Sequence, residues 1–204
     1  EKPTSCEPGR ARPRAAAASG AMTLASSLVD YFTDREHGSK RNQVPAKWRQ
    51  YRTLWSVYPW SSFMFSLIGL NLYFLLERYP ERQLYAAEKY IEVPFFIWQG
   101  IASFLCDYVD LGVPSWSHPA DRISATGFTI FQVIKFLVVL PTGAWPLRAV
   151  LVFPPGLAFG LFAFRKSWSA VDRHDAQAFF FWHAVWHFAF PVPAMLWHWL
   201  YFTS

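Results

Sequence analysis

The stretch FWHAVWHFAF, Phe181 to Phe190, carries His183 and His187 four residues apart in a run that is otherwise aromatic and aliphatic. A second pair, Ser103 and Asp107 in SFLCD, has the same spacing. Residues four apart share one face of a helix, so each pair points two polar side chains in one direction. Two neutral imidazoles and a carboxylate form a common zinc-ligand set that leaves one position for water. Zinc lowers the pKa of that water towards neutrality and supplies a hydroxide for attack on a carbonyl. Asp121 is then the candidate to take or return the proton, and Ser103 to hydrogen-bond the oxyanion. The reading without chemistry is a Trp-rich helix whose histidines bond to neighbours, lipids or a partner chain.

The elements that must position these residues follow from composition. Hydrophobic residues make up 53% of the 204 residues and charged residues only 16%, well below the roughly 25% of a soluble domain. The apolar residues are gathered into five blocks: Pro59–Leu76, Val93–Val109, Ile123–Leu140, Pro146–Phe164 and Ala178–Phe202. Each is about long enough to cross a hydrocarbon core as a helix, and none alternates as a barrel strand must. The expected fold is therefore all-α, a polytopic membrane bundle of about five transmembrane helices spanning residues 59–204. Trp60, Tyr73, Trp145, Trp168, Trp199 and Tyr201 lie near block ends, where interface anchors belong. Residues 1–58 form a polar, basic N-terminal extension. Its segment GRARPRAAAASGAM, Gly9 to Met22, is rich in Arg and Ala and free of acids, a composition that suits an organelle transit peptide or its remnant and equally a flexible basic arm. Thr23–Phe32 after it suits a short amphipathic helix. Cys6 and Cys106 form neither a disulfide framework nor a Cys-x-x-Cys pair.

Ten of the Lys and Arg residues precede Pro59, against five Asp and Glu. Under the positive-inside rule this sets the extension inside, together with the loops at 110–122 and 165–177. No nucleic-acid recognition motif accompanies the charge, and no nucleic-acid partner is expected. In that topology His183 lies about 8 Å, Ser103 about 10 Å and His187 about 14 Å from the inner face, at 1.5 Å rise per residue. Asp107 and Asp121 flank the same face. Five polar side chains from three helices thus fall at comparable depth, and intramembrane ionisable residues are functional candidates by default. His198 sits roughly 16 Å further out, past Pro191 and Pro193, and is expected at an interface. Lys135 is expected to snorkel or to meet a partner.

At these residues the sequence resembles the CREST superfamily of membrane hydrolases, which includes the alkaline ceramidases and Per1-like proteins. HAVWH, His183 to His187, resembles the HAxWH-type motif of that group's last helix. SFLCD matches its serine and spacing, and HPADR, His118 to Arg122, offers Asp121 as its later aspartate. The resemblance implies a seven-helix zinc hydrolase acting on lipid amide or ester bonds, with His183 and His187 as ligands and Ser103 and Asp121 as the catalytic pair. Two features depart from it. Asp107 stands where a third ligand histidine is expected, with His118 as a substitute ligand, and about five spans stand where the group has seven. A competing expectation is therefore a non-catalytic accessory subunit of a large organelle membrane complex, of respiratory or photosynthetic type. Membrane lipids are partners under either reading, and other subunits under the second.

Overall fold

The computed structural model describes residues 44–53, 56–142 and 146–204. The transit-like arm, the expected helix over Thr23–Phe32 and Cys6 lie outside the described residues. Among those described, all regular structure is helical. The helices are α1 (Val57–Ser61), α2 (Met64–Arg78), α3 (Glu88–Phe104), α4 (Ser117–Val139), α5 (Leu147–Asp172), α6 (Ala176–Ala189) and α7 (Pro191–Phe202). A 3₁₀ segment, Ala46–Tyr51, precedes α1, and a π turn, Leu105–Val109, follows α3. Three stretches are long and apolar enough to cross a membrane: Val57–Arg78, Ser117–Val139 and Ala176–Phe202.

Two close approaches set the helix arrangement. A Cβ on Gly100 would come within 2.2 Å of the Ser66 hydroxyl oxygen, so glycine lets α3 lie against α2. A Cβ on Gly156 would come within 2.4 Å of Pro193, which brings α5 against α7. Small residues at helix contacts are the usual way to tighten a bundle in lipid. The core they enclose is built on Ile68, Leu72, Phe96, Trp197 and Phe202.

The ends of the site-bearing helices have local causes. His174 takes a positive φ of 55° in the turn after α5, and the Asp175 carboxylate accepts from the Ala178 N–H at 3.0 Å, capping α6. The polar segment before α1 does not lie apart from the bundle. Trp48 is buried against Phe179, with ring centroids 5.5 Å apart.

Two expectations change. His198 is buried rather than interfacial, 6.2 Å from the Phe96 ring in an edge-on contact. Trp60 and Trp199 are exposed as anchors should be, but Tyr201 is buried and donates to the Arg82 carbonyl at 2.9 Å.

Candidate metal centre

The centre is assembled from α3 and its π turn, α1, α4 and α6. The π turn comes first because it carries Asp107. Its i→i+5 bond runs from the Asp110 N–H to the Leu105 carbonyl at 2.8 Å. Single π turns are frequent at functional sites. The carbonyls that end this helix are satisfied from outside it. The Tyr58 hydroxyl donates to the Asp107 carbonyl at 3.1 Å. Arg52 donates to the Tyr108 carbonyl and to that of Val109 at 2.8 Å, and Arg49 donates to Val109 at 3.3 Å. Two cations at a helix C-terminus also suit its dipole. Part of the basic segment thus anchors the turn that holds Asp107.

His183 and His187 project from one face of α6 with ring centroids 4.7 Å apart. Phe179 and Tyr58 pack on His183 at 5.0 and 5.8 Å, and Phe65 meets His187 edge-on at 5.6 Å. Asp107 Oδ2 lies 3.1 Å from His183 Nε2 and 3.4 Å from His187 Nε2. One ligand atom from each of the three residues falls within 4.8 Å of the others. The Ser103 hydroxyl sits beside them, 3.1 Å from Asp107 Oδ2 and 3.3 Å from His187 Nε2.

The Ser61 hydroxyl lies 2.6 Å from the Tyr58 carbonyl and 2.9 Å from His187 Nδ1. When it donates to the carbonyl it accepts from Nδ1–H, and in that tautomer His187 Nε2 turns a lone pair towards Asp107 Oδ2, which a cation between them would satisfy. Ligand atoms 2.0–2.2 Å from a tetrahedral ion stand roughly 3.3–3.6 Å apart, close to the two distances from Asp107 Oδ2. The donor set could hold a metal ion.

The remaining candidates divide. Asp121 is joined to α3 through Gln99, whose Nε2 donates to Asp121 Oδ1 at 2.7 Å, while Ser124 donates to Gln99 Oε1 at 2.6 Å. His118 does not join the group. Its Nδ1 meets Cys106 Sγ at 3.0 Å, and its Nε2 lies 2.9 Å from the Val113 carbonyl and 3.2 Å from that of Asp110. It ties the loop before α4 to the π turn, so it is unsuited to replace Asp107 as a ligand. Two residues escaped the sequence reading. Gln99 precedes Ser103 by four and shares its face, a signal that was available. Ser61 meets His187 across 126 residues, and no local pattern announces that contact.

Comparison with family models, with curated proteins and with solved structures finds no match to this chain.

Proposed function

We propose that the chain is a membrane-embedded, zinc-dependent hydrolase of lipid amide or ester bonds, with the metal held by Asp107, His183 and His187. The observation that supports this most is the buried approach of Asp107 Oδ2 to His187 Nε2, at a separation suited to two ligands of one ion. The CREST-type resemblance adds support through Ser103, Asp121, His183 and His187, while Asp107 stands in place of that group's third histidine. In this reading α3 with its π turn, and α5, complete a set of five spans. The acid-free basic arm supports an organelle membrane.

A bound zinc ion supplies Lewis acidity and an acidified water. Ser103 is positioned to donate to an oxygen gaining negative charge beside the metal. Asp121, oriented through Oδ1 by Gln99, carries the proton to the leaving group. His187 would present a ligating lone pair from Nε2 with Ser61 accepting the hydrogen on Nδ1.

Metal analysis of purified protein tests this directly. Near-stoichiometric zinc is expected in the wild type and loss of it in the His183→Ala, His187→Ala double variant. Hydrolysis of ceramide-like and acylated lipids should disappear with the metal. Wild-type protein with no metal uptake from zinc-supplemented buffer would sink the reading.

A further inference from the structure

A groove of about 500 Å³ runs between α3 and α4, within the roughly 300–1,000 Å³ of small-molecule sites. We infer that it holds an acyl chain of a membrane lipid, with the chain's polar end turned towards Asp121. Trp98 and Phe95 of α3 form one wall, and Ile123 and Phe131 of α4 form the other. Ser124 supplies the only hydroxyl among the lining side chains. Gly127 forms an open place in the wall, where an added Cβ would meet nothing within 4 Å.

Three observations select an acyl chain. First, the groove opens on the outside of α4, one of the stretches able to cross a membrane, where Ile123 is 52% and Phe131 37% exposed. An α4 that crosses the membrane meets hydrocarbon there. Second, the lining runs from Ala120 to Phe131, roughly 16 Å at 1.5 Å per residue. That matches the roughly 15 Å of one leaflet's hydrocarbon, half of the full core. Third, the groove is polar at one end only. Ser124 donates to Gln99, and Gln99 to Asp121, so a hydrogen-bonded path leads from the groove wall to the Asp121 carboxyl. An apolar trough of leaflet length with its polar end at a carboxyl suits the chain of a lipid whose amide or ester lies near Asp121. That orientation rests on the hydrolase reading; occupancy by a chain does not.

The test uses the full chain in phosphatidylcholine nanodiscs doped with a phosphatidylcholine that carries a mid-chain diazirine. After photolysis, labelled positions are mapped by peptide mass spectrometry. Ile130 and Ile134 are 55% and 53% exposed on the same helix but do not line the groove, so they report ordinary lipid contact. Labelling at Trp98, Phe128 and Phe131 is expected to exceed that at Ile130 and Ile134 several-fold. Gly127→Phe should remove the excess and leave label at Ile130 and Ile134 unchanged; Gly127→Leu serves if the larger side chain prevents folding. Equal labelling inside and outside the groove, or an excess that survives both substitutions, overturns the inference. Zinc is measured on the same samples. Groove labelling without zinc defeats the hydrolase reading alone, and zinc without groove enrichment defeats the groove alone.

Discussion

At the residue scale, the arrangement depends on side chains that touch no ligand position. The Ser61 hydroxyl lies 2.9 Å from His187 Nδ1, where accepting its hydrogen would leave Nε2 free to bind a metal. Ser61→Ala should weaken metal affinity about 10–100-fold, the usual cost of losing such a support. Competition with a chelator of known affinity measures it, and unchanged affinity would show that the tautomer is set elsewhere. Asp110, in the loop after the π turn, accepts from Ser115 at 2.6 Å and Ser117 at 2.7 Å. These hydroxyls hold its carboxyl below the usual carboxylate range. A depressed folded-state pKa adds stability that is complete above the unfolded value of about 3.9 and is lost as pH falls through the folded one. The melting-temperature gap between wild type and Asp110→Asn should therefore narrow as buffer is taken from neutrality to about pH 3. A gap independent of pH would assign the effect to packing. The ligand pairs were legible because four-residue spacing is a local signal. Ser61 was not, because its partner is distant in the chain.

At the element scale, charge ties α3 to α4. Lys135 Nζ lies 2.7 Å from both Glu88 Oε1 and Glu92 Oε1. Gln132 donates to Glu92 Oε2 at 2.7 Å, Tyr85 donates to Oε1, and the Leu84 N–H donates to Glu88 Oε2 at 2.9 Å. All three charged side chains are buried. Removing one member of a buried ionic group leaves the others uncompensated, at a cost of about 3–5 kcal/mol. Lys135→Met should destabilise by that order in detergent-solubilised protein, followed by thermal unfolding. Adding Glu88→Gln and Glu92→Gln should recover much of the loss, and no recovery would mean the lysine acts by packing. A partner for Lys135 was foreseeable from its depth in an apolar block. Its identity was not, because Glu88 and Glu92 precede Val93, where that block begins, and α3 starts a turn earlier than hydropathy indicates. Asp175→Ala, which removes the α6 cap, should cost about 1 kcal/mol by the same measurement.

At the scale of the whole molecule, helicity and membrane character were legible from the blocked hydrophobicity, and three stretches are long and apolar enough to cross a membrane. α3 is the instructive case, since it has only 17 residues from Glu88 to Phe104 and the π turn supplies the rest of its length. If α3 crosses, as proposed, the loops on either side of it lie on opposite faces. Single cysteines at Gln83 and Ser115, in a chain otherwise free of cysteine, should then react with a membrane-impermeant maleimide from opposite sides of oriented vesicles. Labelling of both from one side would reduce the span count. The π turn also bears on which changes of length the chain tolerates. It holds one more residue per hydrogen-bonded ring than an α-helix, and the interval between Ser103 and Asp107 fixes where the Asp107 carboxylate points. Loss of Leu105 or Cys106 would bring Asp107 to three residues from Ser103 and turn it by about 100° about the helix axis, away from His183 and His187. Ser103 and Asp107 are thus separated by a count as well as by a composition. Substitutions in that interval can be absorbed one side chain at a time, whereas a single codon lost there would dismantle the site while leaving each of its residues in the sequence.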